Sequence, residues 1–168
     1  MKKTLITISL LTLSTLSMAA TETYDIDVKH SFANFSIRHV VAKTSGSLND
    51  ITGVIQIDRE NLANSSVNVK INLLSINTGL AKRDDHIKKD EYLDAAKFNE
   101  ITFVSKKIVA KSATEGMITG LFTLHGVTKE LTMPFKVLGL GQTHGVVSAQ
   151  GSRLIPYLKH LILVLDGV

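Results

Sequence analysis

The chain reads as an all-β protein of antiparallel strands, closed as a barrel or packed as a sandwich, with one short helical insert near residues 84–95. Three features carry that reading. Apolar residues recur at a period of two through most of the sequence, one charged stretch interrupts them, and no long segment follows the helical period. The length of 168 residues, 44% hydrophobic and 20% charged, suits a single domain with a sizeable core.

The N-terminal segment "MKKTLITISLLTLSTLSMAA" has a basic start, an apolar middle and a small-residue end. Ser17 and Ala19 supply the −3 and −1 residues of a cleavage site, so residues 1–19 are expected to be a removed signal peptide. Residues 20–168 then form the one mature domain. Its Thr and Ser residues make the leader a poor membrane span, so no stable span is expected after cleavage. No cysteine is present for a lipid anchor or a disulfide. The expected destination is a bacterial periplasm.

In "YDIDVKHSFANFSIRHV", Tyr24, Ile26 and Val28 alternate on even positions, then Ala33, Phe35 and Ile37 on odd ones. A one-residue slip of this kind is what a β-bulge produces, so a bulge is expected at Lys29–Phe32. "GVIQID" (residues 53–58) and "SVNVKINLLSI" (66–76) are half-buried strands, the second with Val67, Val69, Ile71 and Leu73 on one face. "RDDHIKKDEYLDAAKFN" (83–99) breaks the alternation; it is the helical insert, with Asp84 or Asp85 as N-cap. "EITFVSKKIV" (100–109) is a further strand. Residues 116–141 form a hairpin turning around Gly126–Lys129, with Ile118, Phe122 and Leu124 facing one way and Leu131, Met133, Phe135 and Val137 returning. Pro134 places its nitrogen outside the hydrogen-bond ladder, at an edge or bulge.

Charge says little about partners. Without Lys2 and Lys3 the chain has 17 basic against 15 acidic residues, evenly spread, which argues against nucleic acid. The six histidines (His30, His39, His86, His125, His144 and His160) lack the tight local spacing of a zinc site. Acyl transfer has no cysteine and no G-x-S-x-G elbow to use. Asp84, Asp85, Asp90 and Glu91 sit in a solvated insert that lacks the apolar surroundings an acid catalyst needs. Arg83 admits two readings, a structural ion pair with Asp84 or a guanidinium at a barrel mouth meeting a ligand's polar head. No residue is assigned as catalytic or as a metal ligand. What remains is a container, since an eight-stranded barrel has room for side chains or one small ligand.

The motifs "YDID…HS…NFSIRH" (24–39), "G…IQID" (53–58), "VNVKINLLSINTG" (67–79), "RDDHI" (83–87), "F…ITFVS" (98–105) and "GLFTLHGVTKELTM" (120–133) occur in order. Together they resemble the YceI-like family of secreted, polyisoprenoid-binding proteins, over about Thr23 to Leu138. The resemblance implies a lipocalin-like antiparallel barrel of about eight strands around an apolar tunnel. It implies an isoprenoid quinone, polyprenyl chain or similar lipid as ligand and no catalytic cofactor. The expected lining is Phe35, Ile37, Ile55, Ile57, Val69, Ile71, Leu73, Phe103, Ile118, Phe122 and Leu124, assigned by strand parity, with His39, Arg83 and His86 as head-group contacts. From about residue 150 the chain departs from the family's pattern. Leu161–Leu165 is the expected closing strand after a short, apolar connection; the barrel either closes differently or carries a truncated or frame-altered tail. The rival readings are a secreted metal-assisted hydrolase using His30, His39 and His86, and a ligand-free, stress-related interaction module. A homodimer is compatible with all of them.

Overall fold

The computed structural model describes residues 21–39, 42–140, 145–149 and 162–166. Its strands are β1 (Glu22–Asp25), β2 (Phe32–His39), β3 (Ala42–Leu48), β4 (Ile51–Ile57), β5 (Ser66–Asn72), β6 (Ile76–Asn77), β7 (Glu100–Ala110), β8 (Glu115–Leu124), β9 (Val127–Leu140), β10 (Gly145–Ala149) and β11 (Ile162–Asp166). One α-helix, α1 (Ala81–Ile87), and 3-10 turns at Leu62–Asn64 and Leu73–Ser75 complete the described elements. The fold is therefore mostly β and antiparallel, as the alternation predicts. It has eleven described strands where about eight were expected; β5 and β6 are one path broken by the turn at Leu73–Ser75.

The strands form one sheet in the order β1-β4-β5-β7-β8-β9-β10-β11-β2-β3-β6. Among the described residues its hydrogen-bonded ladder is open, with β1 and β6 at the two edges. Connectivity nevertheless curls it into a barrel-like shape. β3 and β4 lie near opposite ends of the order, yet only Asn49 and Asp50 join them. Three peptide steps span at most ~11 Å, so the two ends must approach each other. β5 does the same through the 3-10 turn: residues 66–72 pair with β4 and β7, and residues 76–77 pair with β3. Polar groups fix this corner. Ser75 Oγ accepts from the N–H groups of Asn49 and Asp50, both at 3.2 Å. The Asp50 carbonyl and carboxylate accept from the Asn72 backbone N–H (2.9 Å) and side-chain amide (2.8 Å).

Four expectations need correction. The phase change at Lys29–Phe32 is not a bulge within one strand. The chain leaves β1, turns, and enters β2 at the far side of the sheet. Buried Asp27 builds that turn: its carboxylate accepts from Lys29 N–H at 2.9 Å and meets His30 Nδ1 at 2.7 Å, while its carbonyl accepts from His30 N–H. Among the described residues the bulges lie elsewhere, at Ser105–Lys107 in β7 and at Leu138 in β9, opposite Val146–Val147 of β10. The first moves β7's inward phase from Ile101 and Phe103 to Ile108. The helix begins at Ala81 rather than 84, and Leu80, not Asp84 or Asp85, is its N-cap. The hairpin turn is His125–Gly126, ahead of the expected Gly126–Lys129. Both residues have positive φ (51° and 73°), the two-residue geometry that matches strand twist, and glycine adopts it without strain.

Pro134 fits its reading. Val137 N–H donates to the Thr114 carbonyl, so even-numbered residues of β9 direct their nitrogens away from β8, and the described β9–β10 pairs stop at Lys136. At the C-terminus, β11 fills the place between β10 and β2, close to the expected Leu161–Leu165, but it runs parallel to both neighbours. Parallel neighbours need a crossover connection. The linking residues 150–161, like the expected signal peptide, His144 and His160, lie outside the described residues.

Candidate functional site

The inner face of the curled sheet is largely apolar, with Thr44 opposite Ile37, Ser105 opposite Gly120 and exposed Lys129 opposite Phe122 as polar exceptions, and its apolar residues are of two kinds. On β4, β5 and β7, Ile51, Ile55, Ile57, Val69, Ile71, Ile101 and Phe103 are buried, joined by Leu73 at the corner and Ile118 on β8. Val69 is 1% exposed and Ile51 is not exposed at all, so this half is a filled core. On β2, β8 and β9, beside buried Ala33, Ile118 and Val137, five inward residues contact the core yet keep solvent access. They are Phe35 on β2, Phe122 and Leu124 on β8, and Met133 and Phe135 on β9. Half-buried Leu131 shares their parity. A large apolar side chain that faces inward and remains accessible is the signature of a wall with room beside it.

The expected lining residues therefore separate. Phe35, Phe122 and Leu124 belong to the accessible wall, whereas Ile55, Ile57, Val69, Ile71, Leu73, Phe103 and Ile118 pack the dry half. Ile37 keeps the predicted parity, but it is 60% exposed. Leu131, Met133 and Phe135 were absent from the expected lining. Their signal was the period-two alternation of β9, the same pattern that identified its partner β8.

The insert closes over one end of the sheet. Ile87, Leu93 and Ala95 turn onto the core, and Ala95 is 1% exposed. The Phe98 ring packs on His125 at 4.5 Å between centroids, tying the insert to the β8–β9 turn. Arg83 and Asp84 do not pair directly, as the ion-pair reading required; both grip Thr78. Arg83 Nε donates to Thr78 Oγ1 and Nη2 to the Thr78 carbonyl, each at 2.7 Å. The Asp84 carboxylate accepts from the Thr78 N–H (2.9 Å) and hydroxyl. The hydroxyl's bond to the carboxylate is the main cause that holds the Asp84 pKa below its ordinary value. Half-exposed His86 stacks on Tyr92 and shares a 3.0 Å hydrogen bond with its hydroxyl. The side chain of His39 lies outside the described residues.

Among the described residues the buried Oγ of Ser36 on β2 has no hydrogen-bond partner, whereas a second carboxylate is fully engaged. Buried Asp58 accepts from Glu60 N–H, Asn61 N–H and the Asn64 amide at 2.8–3.0 Å, which lowers its pKa and knots the loop after β4. Among the described residues no three His, Asp or Glu side chains converge as metal donors. His30 is engaged with Asp27 in the β1–β2 turn and His86 with Tyr92 beside α1, so the two lie in separate networks. No described helix is long and apolar enough to cross a membrane.

Residues 24–155 match the family model described as YceI-like domain. The chain belongs to that family. Protein YceI of Salmonella arizonae is 40% identical over 146 residues, covering 84% of this chain and 75% of its relative. A UPF0312 protein of Vibrio parahaemolyticus is 38% identical over 121 residues; the match spans 70% of this chain but only 64% of the Vibrio protein's length. Among solved structures, the YceI protein of Campylobacter jejuni superposes with a TM-score of 0.57 at 29% identity, covering 63% of each chain. BcnA of Burkholderia cenocepacia gives 0.64 at 24% identity, with 70% of this chain and 74% of that one covered. A polyisoprenoid binding domain from Saccharophagus degradans gives 0.53 at 21% identity, covering 70% and 68%. The last two establish likeness of fold. The family match ends at residue 155, ahead of β11.

Proposed function

We propose that this YceI-like chain is an exported, non-catalytic binding protein that carries a long-chain lipid, an isoprenoid quinone or polyprenyl chain above all, against the accessible inner wall. The observation that carries the reading is the set of inward, half-buried apolar residues Phe35, Phe122, Leu124, Met133 and Phe135. Each buried CH2 of a guest contributes about 0.8 kcal/mol, so one five-carbon isoprene unit supplies up to roughly 4 kcal/mol. Three units exceed the ~8 kcal/mol of micromolar affinity before the costs of binding are subtracted. Such a carrier needs no reactive group. Likeness of fold to a domain described as polyisoprenoid binding adds support. The leader pattern of residues 1–19 supports a periplasmic place of work. His39, Arg83 and His86 are the proposed head-group contacts; Arg83 and His86 stand on the insert that closes one end of the sheet.

The test is a titration of the delipidated protein with a polarity-sensitive fluorescent fatty probe, followed by displacement with an unlabelled polyprenol. Saturable, one-to-one displacement supports the carrier. Absence of probe binding by folded protein overturns it.

A further inference from the structure

Three lysines of the outer face have acidic partners on a neighbouring strand. Lys70 reaches Glu100 at 3.5 Å, Lys106 reaches Glu130 at 3.6 Å and Lys136 reaches Glu115 at 2.6 Å. Lys129 differs on both counts. It stands opposite Phe122, in the inward phase of Leu131, Met133 and Phe135, and among the described residues its ammonium has neither an ion pair nor a hydrogen bond. Glu22, also in an inward phase at the β1 edge, is matched by Arg59 at 2.7 Å. Register carries one row of the inner face from buried Val69 and Phe103 through half-buried Phe122 to exposed Lys129. The row passes from dry core to accessible wall and ends on a charge. One pair further on, Leu124 faces Val127, which is 56% exposed, and the chain turns at His125–Gly126. Lys129 thus stands at the turn end of the wall, where Phe98 of the insert packs on His125.

Resting on the lipid-binding reading above, we infer that Lys129 is an anion-binding position on the inner wall, so that the wall favours a guest ending in a carboxylate or phosphate over one with a neutral end. A lysine stem covers apolar surface while its ammonium stays in water, which suits a place between Phe122, Leu131 and the open end. The ammonium is a compact charge with rotatable donors and accepts a carboxylate or a phosphate equally well. Because the fold gives it no acidic partner, an acid gains a charge-assisted hydrogen bond there without breaking an existing pair. Arg83 is less free, since its Nε and Nη2 are already held by Thr78. The tail has its place on the same strand. From Lys129 to Phe135 the inward side of β9 runs six residues, about 20 Å, past Leu131 and Met133. Head and tail positions are thus built into one strand.

The experiment displaces a neutral dansylated hexadecyl probe from the delipidated protein with hexadecanoate, hexadecyl phosphate or hexadecanol, which share one chain and differ in the head. Circular dichroism checks the fold of each variant. Wild type is expected to bind at least one of the two acids about fivefold or more tightly than the alcohol. A preference confined to hexadecanoate names a carboxylic acid as the guest, and one confined to the phosphate names a phosphate monoester. Lys129→Gln should bring acid and alcohol within about twofold of each other, whereas Lys129→Arg keeps the charge and the preference. Lys107→Gln removes an exposed lysine from the outer face, opposite Thr119, and should change nothing. Equal binding of acids and alcohol by wild type, or an undiminished preference in folded Lys129→Gln, overturns the inference while leaving lipid binding intact. If wild type binds neither the probe nor any of the three competitors, the carrier reading falls with it.

Discussion

Leu73→Ala and Leu124→Ala remove the same three carbons from the same inner face, and the structure sets their consequences far apart. Leu73 is 2% exposed at the β5 corner, where its N–H donates to the Asn99 carbonyl at 2.8 Å. Its truncation leaves a cavity among closely packed neighbours, which costs about 3 kcal/mol or more. In a domain of this size that lowers Tm by roughly 10 °C. Leu124 is half-buried beside the accessible space. The three carbons are worth about 2.4 kcal/mol if fully buried, and about half of that here, with little cavity penalty because the space is already open. Urea unfolding of the delipidated variants, followed by far-UV circular dichroism, measures both. We expect a ratio of losses near three to one, with the m-value unchanged in each case. Equal losses would show that the two halves of the interior are packed alike, and the accessible wall would have to be abandoned.

Three further outcomes follow from the same geometry. Met133→Lys places an unpaired charge on the wall and should weaken probe binding at least tenfold, with a smaller loss of stability because the ammonium can turn toward the open side; fluorescence titration checks it. Asp58 and Asp84 both have pKa values held below the ordinary 3.8 by hydrogen bonds to their carboxylates. Their stabilisation is fully present above that value and drains away as the pH falls through the depressed folded values, so Asp58→Asn should flatten the acid limb of a stability–pH profile. Gly126→Val meets both a φ of 73° and the Phe98 ring 2.7 Å from the new Cβ, and should cost about 2 kcal/mol or more in thermal unfolding, whereas Gly126→Asn suffers less backbone strain.

Much of the sheet could be read from alternation alone, because burial on one face leaves a period-two trace in β4, β5, β7, β8 and β9. Three things could not. A turn from one end of the sheet to the other and a bulge both shift the phase by an odd step, so Asp27–His30 looked like the irregularity that actually sits at Ser105–Lys107. Parity identifies the inner face but carries no information about how full the interior is; Val69 and Phe122 have the same signal, yet one is 1% exposed and the other is half-buried. The role of Thr78 was invisible, since an Arg next to an Asp suggests a pair and nothing in the sequence shows both reaching back to one threonine.

Native mass spectrometry of the protein purified from its own cells, with organic extraction of the same sample, asks whether the inner wall holds a lipid. A one-to-one adduct that dissociates as a quinone, polyprenyl or related branched chain is the expected result. A mass equal to the bare polypeptide, with no lipid in the extract, would contradict it and leave a barrel that carries nothing.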